Sequence, residues 1–176
     1  MRKLSLKELG RPDIAAFKAL PKAPVALVLD NVRSALNVGS AFRTADAFAL
    51  EQLFLCGITA TPPHREILKT AIGATDSVRW AYEKDTAALV RRLRSEGYLV
   101  LAVEQAEGRT WLQDIRVSPG QKYALVFGNE VEGVSEAVME EVDGCIEVPQ
   151  FGTKHSLNIA VCIGIVVWEF FRQWKY

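Results

Sequence analysis

Hydrophobic residues in this chain gather in short, largely continuous runs rather than in strict alternation: Val25–Leu29, Leu53–Cys56, Val78–Tyr82, Tyr98–Val103, Tyr123–Phe127 and Cys145–Val148. A strand with one wet face alternates apolar and polar positions, whereas a strand covered on both faces need not. Between most of these runs lie helical patterns. Over Asp85–Glu96, Asp85 can act as N-cap, Ala88, Leu89 and Leu93 share one side, Arg91, Arg92 and Arg94 lie elsewhere, and Gly97 stands where a helix should stop. A second helix is predicted from near Val38, with Asn37 as its cap and Val38, Ala41, Phe42, Ala45, Phe48 and Ala49 on one apolar face. Strands of this kind interleaved with helices predict an α/β fold, a mainly parallel sheet with helices on both faces. Ligands of such sheets sit beyond the carboxyl ends of the strands, so the segments after Leu29, Val103, Phe127 and Val148 are where chemistry is expected.

The two ends of the chain depart from this rhythm. Leu4-Ser5-Leu6-Lys7-Glu8-Leu9 reads as a capping box in which Ser5 and Glu8 satisfy each other's backbone N–H groups, predicting that a short helical arm begins there, and Pro21 and Pro24 bracket a break. At the other end Ile159–Trp168 is too long for a typical strand and apolar on every side. Read as a helix it must be buried all round, and contact with a second copy of the chain is the economical way to achieve that.

Composition narrows the class. With 176 residues, 49% of them hydrophobic and 24% charged, the chain is expected to form a single domain over 1–176, with 1–22 as a basic amino-terminal arm. The Ile159–Trp168 run falls well short of the roughly 20 residues that cross a bilayer, and the amino terminus lacks the apolar core of a secretory signal, so a cytoplasmic protein without a membrane span is expected. Cys56, Cys145 and Cys162 are widely spaced and flanked by apolar residues, which predicts buried thiols rather than disulfides or a zinc site. Formal charge balances at 21 basic and 21 acidic residues, which argues against a protein that coats nucleic acid. The distribution is uneven, however. Residues 1–22 carry Arg2, Lys3, Lys7, Arg11, Lys18 and Lys22 against Glu8 and Asp13, a stretch suited either to local phosphate contacts or to a solvated surface.

Three loops stand out. After the first strand, Asn37-Val38-Gly39-Ser40-Ala41-Phe42-Arg43 opens the second predicted helix. Arg43 can lean back over Gly39 towards the positive helix end, forming an anion site, or it can make a surface ion pair. Gly128-Asn129-Glu130-Val131-Glu132-Gly133-Val134-Ser135 imitates the spacing of a phosphate loop, but Val134 stands where the lysine would be, so an NTPase is excluded. No G-x-G-x-x-G occurs, which leaves a nicotinamide dehydrogenase unsupported. The third loop, Val148–Asn158, contains His155, either a structural histidine or a base.

Together and in this order, N-V-G-S-A-F-R-T-A (Asn37–Ala45), F-G-N-E-V-E-G-V-S (Phe127–Ser135) and V-P-Q-F-G-T-K-H-S-L-N (Val148–Asn158) resemble the SpoU/TrmH-type RNA methyltransferases of the SPOUT superfamily. The resemblance covers nearly the whole chain. It implies S-adenosylmethionine as methyl donor, a ribose 2'-hydroxyl of tRNA or rRNA as acceptor, a homodimer and a carboxyl-terminal trefoil knot. It also implies an adenosyl pocket at Val103, Glu104, Gly128, Val148 and Leu157, with functional side chains at Asn37, Arg43, Glu130, Ser156 and Asn158. Gln150 departs from the pattern, since many members have Met there, and this bears on substrate choice. A guanidinium stays protonated in proteins, so Arg43 is expected to stabilise the adjacent phosphate and the developing alkoxide rather than take a proton. Glu130 would orient Arg43 or Asn37, Ser156 and Asn158 would fix the third loop and the ribose, and His155 is the candidate proton acceptor. The competing expectation is a catalytically silent RNA- or nucleotide-binding module of the same fold.

Overall fold

A computed structural model describes residues 1–5 and 8–176; Leu6 and Lys7 of the amino-terminal pattern lie outside the described residues. Seven strands, β1 (Ala23–Asp30), β2 (Leu50–Cys56), β3 (Trp80–Glu83), β4 (Tyr98–Val103), β5 (Thr110–Trp111), β6 (Lys122–Phe127) and β7 (Gly144–Glu147), form one parallel sheet in the order β3-β2-β1-β6-β4-β7-β5. Six of them fall on the apolar runs of the sequence. The two-residue edge strand β5 is too short and too polar to leave a periodic signal.

Burial on both faces explains the continuous runs. Along β1, Val25, Leu27 and Leu29 enter one core, under helices α2 (Ala35–Ala47), α3 (Arg65–Ala71) and α7 (Ile159–Lys175). Ala26 and Val28 enter the other, under α5 (Thr86–Ser95) and the single turn α6 (Glu136–Met139). The remaining helical pieces, α1 (Ile14–Ala19) and α4 (Ala74–Ser77), pack together at the amino-terminal edge of the sheet. Asp85 caps α5 through a bond from the Ala88 N–H at 3.0 Å, and Gly97 follows with φ of 87°, as the pattern predicts.

Two expectations are corrected. The helix expected from Asn37 begins at Ala35, because Ser34 is its cap: the Ser34 hydroxyl accepts from the Asn37 N–H at 3.3 Å, which places Asn37 inside the first turn. The capping box forms, with Glu8 accepting from the Ser5 N–H at 2.8 Å, but only a turn follows, and the helix of the arm lies at Ile14–Ala19 under its own cap, Asp13. A third expectation, that one chain cannot bury α7 on every side, is met. Ile163, Val166, Val167 and Phe170 face the core, whereas Val161, Ile165 and Trp168 are 53%, 39% and 48% exposed. Among the described residues no helix is long and apolar enough to cross a membrane.

Candidate active site

The carboxyl ends of the central strands lie level. Leu29 of β1 pairs with Phe127 of β6, Phe127 with Val103 of β4, and Val103 with Ile146 of β7. Strands laid down far apart in sequence therefore open their following loops along one edge, and between those loops is a cleft of about 500 Å³. Val103, Glu104, Gly128, Val148 and Leu157 all line it, as do Glu130, Ser156, Asn158 and His155.

Backbone crowding fixes the shape of the 128–135 loop. The Asn129 N–H donates to the Gly133 carbonyl at 2.8 Å and the Gly133 N–H donates back at 2.9 Å, closing the loop on itself. A Cβ on Gly128 would lie 2.1 Å from the Gly133 carbonyl carbon, so no side chain fits there. Gly133 combines a φ of 72° with a carboxylate oxygen of Glu104 where its Cβ would go. That same oxygen accepts from the Val134 N–H at 3.0 Å, and the other accepts from the Gln105 N–H at 2.8 Å. The phosphate-loop spacing thus has a different cause: the two glycines let the strand end fold tightly against Glu104.

Two residues that sequence reasoning did not single out complete this frame. Asp30, 1% exposed, accepts from the Ser135 N–H at 2.9 Å and from the Thr86 hydroxyl at 2.6 Å, tying the loop to β1 and α5. Asn129 donates to the Asn31 carbonyl at 2.9 Å and accepts from the Val131 N–H at 2.8 Å. The available signal was an Asp ending an otherwise apolar strand, a costly place for a carboxylate unless it is fully bonded.

Glu130 joins this loop to α2. Its carboxylate accepts from the Arg33 N–H at 2.8 Å, the Ser34 N–H at 3.0 Å and the Asn37 amide at 3.1 Å. Desolvation, the largest single influence on its pKa, pushes upward, but the bonds from Arg33, Asn37 and Ser34 outweigh it and hold the carboxyl below its usual range. The Asn37 carbonyl oxygen in turn accepts from the Asn158 amide at 3.4 Å. Asn158 also caps α7, accepting from the Ala160 N–H at 2.9 Å. Asn37, Glu130 and Asn158 therefore form one chain of contacts across three loops.

Arg43 is not part of it. Gly39 makes room not for Arg43 but for α3, since a Cβ there would meet the Ile67 carbonyl at 2.4 Å. Arg43 is exposed, and among the described residues it makes neither a hydrogen bond nor an ion pair, so the surface ion pair does not form within one chain. It lies on the outward stripe Leu36, Ser40, Arg43 and Ala47 of α2, a helix that packs against α7. Ser156 and His155 are exposed on the 149–157 segment, where the His155 carbonyl accepts from the Gln105 amide at 2.6 Å.

The side chains around the cleft suit some ligands better than others. Glu104, Glu130, Glu132 and Glu147 line it with Val103, Phe127, Ile146, Val148, Leu157 and Ile159, and no lysine or arginine does. A phosphorylated ligand would meet carboxylates without cations, whereas a ligand with a cationic centre and a flat apolar part finds both. No cluster of metal-binding side chains occurs among the described residues, and the three cysteines are free.

Known proteins share this fold. The sequence pattern of the SpoU rRNA Methylase family matches residues 24–168. The chain is 29% identical over 167 residues to the 23S rRNA (guanosine-2'-O-)-methyltransferase RlmB of Vibrio parahaemolyticus, covering 95% of this chain and 66% of that protein. To the 23S rRNA (guanosine(2553)-2'-O)-methyltransferase RlmP of Bacillus subtilis it is 30% identical, over 89% of this chain and 63% of that one. The chain thus spans just under two thirds of the length of these relatives. Among solved structures, an AdoMet-bound rRNA methyltransferase from Sinorhizobium meliloti superposes with a TM-score of 0.80 at 28% identity, covering 89% of this chain and 59% of that one.

Proposed function

The chain belongs to the SpoU rRNA methylase family, and from that premise we propose that it methylates a ribose 2'-hydroxyl of tRNA or rRNA with S-adenosylmethionine as donor. The observation that carries this reading is the cleft at the level carboxyl ends of β1, β6, β4 and β7, acidic and apolar and lined by no lysine or arginine. Such a lining suits a sulfonium and an adenine ring. Val103 and Glu104, Gly128, Val148 and Leu157 would hold the donor, which supplies an activated methyl group.

Transfer to the ribose needs the 2'-oxygen aligned with the methyl carbon; the new C–O bond forms as the C–S bond breaks and sulfur keeps its electron pair. The hydroxyl proton must leave as charge builds on oxygen, and His155, exposed at the rim, is the candidate to accept it. Asn37, held by Glu130 and Asn158, would orient the ribose, and Ser156 of the third loop would help to fix it.

We read the assembly as a homodimer and the carboxyl-terminal region as the family's trefoil knot. Support for the knot is the strand order, in which β6, later in the chain than either, lies between β1 and β4. Support for the dimer is the outward stripe Val161, Ile165 and Trp168 of α7 beside the outward stripe of α2. A second copy covering both would meet Arg43 and bring its fixed positive charge to a site that two chains complete. The basic residues of 1–22 would add phosphate contacts.

Titration calorimetry with S-adenosylmethionine and with ATP tests the pocket: the first is expected to bind, the second not. Mass spectrometry of ribose-methylated nucleosides, in RNA from cells lacking the protein, tests the reaction. Loss of one modification is expected; an unchanged set refutes the assignment, and donor binding without any transfer would indicate the silent module.

A further inference from the structure

The segment following β7 holds the most exposed aromatic side chain of the described residues. Phe151 is 99% exposed, about what an extended chain would leave open, although burying such a side chain is worth roughly 1.5–3 kcal/mol. Single exposed apolar residues are common on protein surfaces. Two features set this one apart. Its neighbours Gln150, His155 and Ser156 line the candidate cleft, so Phe151 belongs to a loop that borders it. Its surroundings also reverse the charge of the cleft: 149–157 carries Lys154 and His155 and no acid, above a floor with four glutamates.

We propose that Phe151 is a stacking platform for a base of the RNA substrate at the mouth of the cleft, with Lys154 beside it for the adjoining phosphate. This rests on the methyltransferase reading above and specifies how the acceptor is gripped. The chemistry is complementary on both counts: a base offers a flat apolar face to the ring, and the backbone offers negative charge to Lys154 and His155 of the same loop. Gly152 follows directly, with nothing within 4 Å of where its Cβ would be, so the chain next to Phe151 is uncrowded. A single-stranded or loop nucleotide fits this geometry and a paired one does not, since stacking on Phe151 requires an unstacked base.

The test uses the full chain loaded with S-adenosylhomocysteine and a fluorescein-labelled single-stranded 12-nucleotide RNA of mixed sequence. Phe151→Ala is expected to weaken RNA binding about tenfold, in keeping with about 1–3 kcal/mol for a stacked base. Phe151→Tyr should restore it, and Phe151→Leu should not. The salt slope of binding should stay unchanged in Phe151→Ala but fall by about one in Lys154→Gln. Restoration by leucine overturns the proposal in favour of simple apolar contact. So does a halved particle mass in light scattering, which would place Phe151 in a dimer interface, and so does weakened S-adenosylhomocysteine binding, which would make it a cover for the donor. Wild-type protein that binds no donor and methylates no RNA refutes the parent reading. Working wild-type protein with an indifferent Phe151→Ala variant refutes only this inference.

Discussion

Two loops meet at the candidate active site, and they are built in opposite ways. The 128–135 loop is closed by paired backbone bonds, crowded at Gly128 and Gly133, and tied to β1, β4 and α2 through Asp30, Glu104 and Glu130. The 149–157 loop stands open: residues 151–156 are all exposed, and it is anchored at its end by Asn158 and near His155 by Gln105. Preorganised groups serve a ligand that must be held in one geometry, while an open segment retains freedom that a large, shaped substrate can order. We therefore propose that the rigid loop serves chiefly the donor and the exposed tip of the open loop, residues 151–156, the acceptor.

A matched pair of glycine substitutions tests this contrast most severely. Gly128→Ala drives a Cβ into the Gly133 backbone and is expected to cost about 2–3 kcal/mol in urea unfolding and to abolish donor binding. Gly152→Ala enters open space and should leave both unchanged. Equal effects would erase the distinction between the loops.

Arg43 belongs to neither loop, and its removal separates chemistry from binding. Arg43→Ala is expected to lower single-turnover methylation about a hundredfold while donor affinity stays near wild type, as loss of one charge-stabilising group typically does. Arg43→Lys should recover little, since a point charge does not replace a planar fork. Normal turnover in the alanine variant would move attention to His155.

A smaller effect is expected from the joint between the rigid loop and α2. Because the Glu130 carboxyl is held below its usual range, its contribution is present above the ordinary value of about 4.3 and fades as pH falls through the lowered folded value. Glu130→Gln should therefore flatten that part of the acid limb of stability and weaken RNA methylation by loosening Asn37. An unchanged acid limb would mean that the three bonds to Glu130 are not kept in solution.

The thiols should give the smallest response. Burial pushes Cys162, on the floor of the cleft, up to about 11, and Cys56, in the core, up to about 12. A raised thiol pKa means that stability is complete below the ordinary thiol range of about 8.5 and is lost as pH rises towards the folded value. Iodoacetamide at pH 8 should label both at least about tenfold more slowly than a free thiol. Rapid labelling of Cys162 would show that the rigid side of the cleft opens readily.

Local periodicity in the sequence specifies six of the seven strands, the helices α2, α5 and α7 and the edge at which a site is expected: unbroken apolar runs for strands covered twice, a cap and a glycine for α5. The second and third motifs likewise mark residues that line the cleft. Tertiary structure alone decided how they interlock. Asn37 meets Glu130 across 93 residues, Ser135 meets Asp30 across 105 and Asn158 meets Asn37 across 121, and no periodicity reaches so far. The same reason governs the misplaced details. Ser34 rather than Asn37 caps α2 because the backbone enters the helix three residues earlier, and Gly39 serves α3 rather than Arg43 because a helix from elsewhere in the chain fills that side. Which residue a small side chain makes room for is set by what folds against it, and that is a property of the packed molecule.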